Sequence, residues 1–253
     1  MIKNTFLLLD GVSVRKEKSL WKQGVLDWNS FVSCDRINGI NKDKKSFFDR
    51  QIFKASIALS DDDSTFFAKL MPKTEHWRLY EHFKDEAVFL DIEVSDCSDG
   101  FVTVVGLFDG FNTKTMIYGV NLDFDVLREE LKKYKIIVSF NGSVFDVPFL
   151  KKKYPDLIPN IPHFDLRFCC QKLGLKGGLK EVEKRFGLQR RELVEKLRGG
   201  DCITLWRMWR ASGDDYYLKM LVEYNEEDCV NLKFIADKLY ETMKNHLTTS
   251  AIK

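Results

Sequence analysis

The sequence has no long apolar run, no CxxC pair and no cysteine–histidine cluster, and each absence removes a class of protein. Nothing approaches the roughly 18 consecutive apolar residues that a membrane-spanning helix needs. The opening MIKNTFLLLD has one lysine and a short apolar stretch ended by Asp10, too little for a secretory signal, so the chain reads as cytoplasmic. Six cysteines (Cys34, Cys97, Cys169, Cys170, Cys202 and Cys229) lack metal-ligand spacing. That argues against a zinc site or a disulfide framework and for free thiols. Adjacent Cys169 and Cys170 read as buried helix packing rather than as a redox pair. Internal repeats and low-complexity segments are missing too.

What remains is an ordinary globular composition with an uneven charge distribution. The formal net charge of the 253 residues is only +2, yet residues 151–210 hold eight Lys and seven Arg against seven Asp and Glu. That local excess of eight positive charges fits either solvated helix faces or a surface for a polyanion.

Two compositional regimes divide the chain. Residues 1–85 read as short helices, with turn signals at Gly11 and Gly24, apolar positions Leu20, Trp21, Val25, Trp28 and Phe31, and an interruption at Pro72. From about residue 86, AVFLDIEV, FVTVVGLFDG and KTMIYGV are strand-like runs separated by turn residues, an expected antiparallel set. DFDVLREELKKY has helical periodicity. The almost wholly apolar KIIVSF predicts a central parallel strand. A helical remainder follows, with a long helix over roughly 215–242. The expectation is an α/β fold, a mixed β-sheet flanked by helices and preceded by a small helical N-terminal region.

Three acidic segments carry the chemistry. In FLDIEV the two-residue strand period puts Asp91 and Glu93 on one face and Leu90, Ile92 and Val94 on the other. In VSFNGSVFDVPFL a strand runs into the Asn141-Gly142 turn, Ser143 is a candidate helix cap, and Asp146 falls in the first helical turn. There Asp146 is either a site residue or an acid favoured by the helix dipole. Along the last helix the apolar stripe Leu218, Leu221, Val222, then Leu232, Ile235, Ala236, Leu239 is broken by Asn225 and Asp228. A carboxylate on an inward face needs a cation, either a metal or a nearby Lys or Arg. Tyr224 lies one turn before Asp228 on nearly the same side.

Together these segments resemble the DEDD exonucleases of the RNase H-like superfamily, in the subtype whose third motif is Tyr-x-x-x-Asp. Asp91 and Glu93 match the first motif, Asp146 the second, and Tyr224 with Asp228 the third. The histidine subtype would need His at position 223, which is Glu. The chain looks more closely like the YprB-like group of predicted exonucleases, through FNGxxFDxPFL, His163-x-Asp165, LKxVE at 179–183 and YNxxD, with weaker similarity through LWKQGVLDW and HWRL. Val94 departs from the Thr usual after the DxE.

The resemblance implies a 3′–5′ exonuclease domain at 86–246. It also implies two Mg²⁺ or Mn²⁺ ions held by Asp91, Glu93, Asp146 and Asp228, a water oriented by Tyr224, and the 3′ end of a DNA or RNA as partner, with nucleoside 5′-monophosphates released. Asn141 and Phe145 are candidates to hold the terminal nucleotide, by hydrogen bond and by stacking. Lys180 and Arg190, with Lys151, Lys152, Lys153, Lys184 and Arg191, are candidates for phosphate contacts. His163 and Asp165 read as a strand-end histidine and a helix-capping aspartate, or as support for a metal. Residues 1–85 look like a degenerate helix-hairpin-helix in which Ser13 replaces the second glycine, leaving a purely structural helical cap as the other reading. A structure-specific endonuclease and a catalytically silent nucleic-acid-binding module are the alternatives.

Overall fold

The computed structural model describes residues 1–252. The N-terminal part contains α1 (Val14–Lys22), α2 (Trp28–Ser33), α3 (Lys42–Ser60) and α4 (Ser64–Leu70), then a 3₁₀ turn at Lys73–Leu79 and α5 (Tyr80–Phe83). Small polar residues set the helix starts: Ser13, Asp27, Asn41 and Asp63 each accept a backbone N–H from the first turn that follows. Ser13, which replaces a glycine in the hairpin pattern, is therefore the cap of α1.

The sheet begins at β1 (Ala87–Val94) and continues through β2 (Val102–Phe108) and β3 (Thr113–Ile117). After α6 (Phe124–Leu131) come β4 (Ile136–Ser139), α7 (Asp146–Lys153) and β5 (His163–Asp165). The remainder is α8 (Leu166–Lys172), α9 (Leu179–Arg185), α10 (Glu192–Glu195), α11 (Gly199–Ser212) and α12 (Asp215–Ile252). Gly213 separates the last two, with the left-handed φ of 71° that lets a helix end and the chain reverse.

Among the described residues the strands form one five-stranded sheet in the order β3-β2-β1-β4-β5. β1, β2 and β3 pair antiparallel, while β4 is parallel to both β1 and β5. This is the expected mixed sheet, with β4 as the buried parallel strand. β4 reaches along β1 only as far as Phe89, leaving the C-terminal half of β1 unpaired on that side.

Each face of the sheet has its own apolar layer. Val88, Leu90, Ile92, Val94, Val105 and Ile137 pack under Leu127 and Leu131 of α6 and Leu150 of α7. Ala87, Phe89, Phe108, Ile136 and Val138 face the other way, toward Leu232, Ile235 and Leu239 of α12. That second layer runs without a break into Phe6, Trp28, Phe31, Phe48 and Trp77 of the N-terminal region.

A buried ionic chain crosses from the N-terminal helices to α8. Glu17 accepts from Thr5 Oγ1 at 2.5 Å, from the Phe6 N–H at 2.8 Å and from Arg78 Nη2 at 3.1 Å. Arg78 Nε also donates to Glu75 at 2.8 Å, and Glu75 pairs with Lys172 of α8. The guanidinium lies over the rings of Trp21 and Trp77. Two acids and two bases balance, so removing one leaves a buried charge without compensation. Arg78→Met should lower stability by about 3–5 kcal/mol in urea titration. A loss under 1 kcal/mol would mean that Glu17 is solvated rather than sealed.

Candidate active site

The site grows from the unpaired half of β1. Asp91 and Glu93 point to the α12 side of the sheet, as strand alternation requires, and Asp91 stands opposite Gly106 of β2. Asp91 keeps partial contact with solvent, whereas Glu93 is buried.

Asp146 is delivered by the chain leaving β4. Beyond Ser139 the backbone turns through Asn141, a non-glycine residue at φ 67°, and then Gly142. Asp165, at the end of β5, clamps this turn: its carboxylate accepts from the Asn141 N–H at 2.8 Å, the Ser143 N–H at 2.9 Å and the Arg167 N–H at 3.0 Å. A methyl group on Gly142 would lie 2.2 Å from Ser139 Oγ and 3.3 Å from Asp146 Oδ2, so only glycine fits there. The helix then starts at Asp146, and its Oδ1 accepts the Ile92 N–H at 3.2 Å. That is one of the donors β4 is too short to satisfy. The expectation that Ser143 caps this helix is corrected: no side chain caps α7, and Ser143 Oγ faces His163 Nδ1 at 3.4 Å.

α12 supplies Tyr224, Asn225 and Asp228 from one face. One carboxylate oxygen from each of Asp91, Glu93 and Asp228 lies within 4.8 Å of the others. Asp146 is not part of that trio; it reaches the main chain between Asp91 and Glu93 instead. Asn225 donates from Nδ2 to Asp91 Oδ2 at 2.8 Å. Asp228 Oδ1 pairs with Arg190, whose Nε and Nη2 also donate to Glu183 of α9 at 2.6 and 2.7 Å. The Arg190 side chain is only 3% exposed.

Crowding of carboxylates in a dry site shows in their titration. Burial, reinforced by Asp228, pushes Glu93 up to about 8. Burial pushes Asp146 to about 7 against the pull of its backbone hydrogen bonds, and Asp228 to about 6 against the pull of Arg190. Asp91 is raised well above the ordinary aspartate value, by burial and then by Asp228, Asp146 and Glu93. Tyr224 is raised as well, by burial first, so its phenol stays protonated. An all-oxygen donor set with this mutual repulsion fits hard divalent cations such as Mg²⁺ or Mn²⁺.

The remaining residues singled out in the sequence fall into two groups. Lys180 and Arg190 do not present free cations to a phosphate, which corrects the reading of both as open substrate contacts. Lys180 Nζ donates to the carbonyls of Val194, Glu195 and Leu197, and Arg190 is enclosed by Glu183 and Asp228. Both cations flank the Tyr224 ring, at 5.1 and 5.4 Å from its centroid. Lys151, Lys152, Lys153, Lys184 and Arg191 are exposed. Asn141 and Phe145 are half-buried, Phe145 packing on Phe149 with ring centroids 5.8 Å apart. Glu183 was not singled out as a functional residue, although it lies in the LKxVE run and forms the far side of the Arg190 clamp. Cys202 of α11 hydrogen-bonds Glu93, a contact between distant segments with no local sequence signal.

The fold and the carboxylate cluster define an RNase H-like α/β architecture. The chain belongs to the RNase_H superfamily, whose family model matches residues 88–240. No curated protein matches the chain. Among solved structures, the family B DNA polymerase from the hyperthermophilic archaeon Pyrobaculum calidifontis is similar at 18% identity and a TM-score of 0.49, over 60% of this chain and 24% of the polymerase chain.

The raised carboxyl groups make metal-free stability depend on pH. The folded protein holds protons on Glu93, Asp146 and Asp228 that the unfolded chain, with ordinary values near 4.5 and 3.8, has already released. These groups therefore stabilise fully below about pH 4, and their contribution is lost as pH rises to about 8. In chelator, Glu93→Gln should gain thermal stability relative to wild type as pH rises from 5 to 8, and added Mn²⁺ should shrink that gap. A pH-independent difference in melting temperature would contradict the assignment.

Proposed function

We propose that this chain is a metal-dependent 3′–5′ exonuclease that hydrolyses nucleic-acid phosphodiester bonds and releases nucleoside 5′-monophosphates. The observation that carries the reading is the convergence of oxygens from Asp91, Glu93 and Asp228 on an RNase H-type sheet, with Asp146 at the adjoining main chain. We assign residues 86–246 to the catalytic unit and residues 1–85 to its helical support. Bound at Asp91, Glu93, Asp146 and Asp228, two Mg²⁺ or Mn²⁺ ions would make a water nucleophilic and stabilise the departing 3′-oxygen.

The chain's own residues do the positioning. Tyr224, buried one turn before Asp228 on α12, orients the attacking water. The Glu183–Arg190 clamp fixes Asp228 through one oxygen. Asp165 holds the turn that presents Asp146, together with Asn141 and Phe145 as contacts for the terminal nucleotide. Exposed Lys151, Lys152, Lys153 and Lys184 are the candidates for phosphate contacts.

The test is degradation of end-labelled single- and double-stranded DNA and RNA in Mn²⁺. Wild type should release mononucleotides from free 3′ ends, with Asp91→Ala and Asp228→Asn reduced at least about 100-fold, the lower end of the range for loss of a positioned catalytic group. Cleavage of a 3′-blocked strand at internal bonds would replace the exonuclease reading with an endonuclease. Unchanged activity in Asp91→Ala would refute the site.

A further inference from the structure

Asn225 lies on α12 between Tyr224 and Asp228, and it is completely buried. The apolar stripe of the helix would be better served at that position by Leu or Val. Instead the amide Nδ2 reaches β1 and donates twice to the same residue, to the Asp91 carbonyl oxygen at 3.2 Å and to Asp91 Oδ2 at 2.8 Å. Turning the amide over would place its oxygen against two acceptors, so chemistry fixes this orientation. The consequence is a buried Oδ1 with no partner. Unsatisfied groups of this kind are scarce in folded proteins and call for a reason.

Gly106 accounts for the fit. It is the β2 residue paired with Asp91, and its φ is not among the positive values, so backbone freedom is not why glycine stands there. The need is space. A methyl group on Gly106 would sit 2.1 Å from Asn225 Oδ1 and 2.7 Å from Cys229 Sγ, one turn further along α12. The missing side chain lets the helix settle onto the sheet until the amide reaches across β2 to Asp91.

We infer that Asn225 is a positioning residue, locking the Asp91 carboxylate in the orientation that receives a divalent cation, and that Gly106 is the notch admitting it. The inference rests on the metal-dependent reading of the same cluster. Asn225 acts through Asp91: it fixes the side-chain torsion by tying the carboxylate and the carbonyl of Asp91 to one nitrogen. A hydrogen-bond partner that orients a metal ligand typically changes metal affinity by roughly 10- to 100-fold when removed.

Mn²⁺ titration of the full chain, followed by electron paramagnetic resonance, and thermal unfolding in chelator together test this. Asn225→Leu should unfold cooperatively at or above the wild-type temperature while binding Mn²⁺ roughly 10- to 100-fold more weakly. Should the leucine variant fail to fold, Asn225→Ala, which removes atoms and introduces no clash, carries the same expectation for Mn²⁺. Gly106→Ala should weaken Mn²⁺ binding by displacing the amide; in a Cys229→Ala background, which relieves its second clash, adding it to Asn225→Ala should cause little further loss, because both then act through one contact. Wild-type Mn²⁺ affinity in a folded Asn225 variant overturns the lock alone, and additive losses in the double variant overturn the role of Gly106. A wild-type protein that binds no Mn²⁺ overturns the metal site and the lock together.

Discussion

Withdrawal of neighbouring carboxyl groups from water is the constraint on which the rest of this molecule depends. Asp91, Glu93, Asp146 and Asp228 come from a strand, a strand-to-helix turn and a helix, and folding forces their charge into a volume with little water. Isolated, each would be too costly to bury as an anion. The fold answers with a layer of neutral and cationic partners: the Asn225 amide on Asp91, the Cys202 thiol near Glu93, the Ile92 N–H on Asp146 and the Arg190 guanidinium on Asp228. Even so, the carboxyl groups remain reluctant to ionise.

Arg190 changes how the third acidic segment is understood. A carboxylate facing inward on a core helix demanded either a metal or a basic side chain, and the molecule contains the basic side chain. Glu183 holds the guanidinium by two hydrogen bonds, and Asn231 Nδ2 donates to the same glutamate at 3.0 Å, so the clamp is itself braced against α12. The ion pair engages Oδ1 of Asp228.

Much of the architecture was legible because strand and helix periods leave plain marks. The antiparallel run from residue 87, the apolar β4 and the long terminal helix all follow from alternation, turn residues and an apolar stripe. Asp228 left the plainest mark among the acids, because with Asn225 it interrupts an apolar stripe that packing alone would have continued. What stayed hidden were the partners of those acids. Nothing in the vicinity of Arg190 indicates that it turns inward, and its neighbours Gln189 and Arg191 suggest a solvated loop. Lys180 was hidden likewise, since an exposed lysine on a helix and one capping the carbonyls of α10 look the same in sequence. Ser143 has the composition of a cap, but the claim of Asp165 on its main chain moves the cap two residues onward, to Phe145. Contacts between segments far apart in sequence decide these cases, and local propensity carries no information about them.

The shortness of β4 has one more consequence. Because it stops alongside Phe89, a single oxygen of Asp146 closes the exposed edge of the central strand while its neighbour faces the turn at Gly142. Sealing the edge requires only an acceptor, whereas attracting a cation requires charge. The two duties are separable: an uncharged carboxamide at this place keeps an acceptor for the strand edge while withdrawing one negative charge from beside Asp91, Glu93 and Asp228.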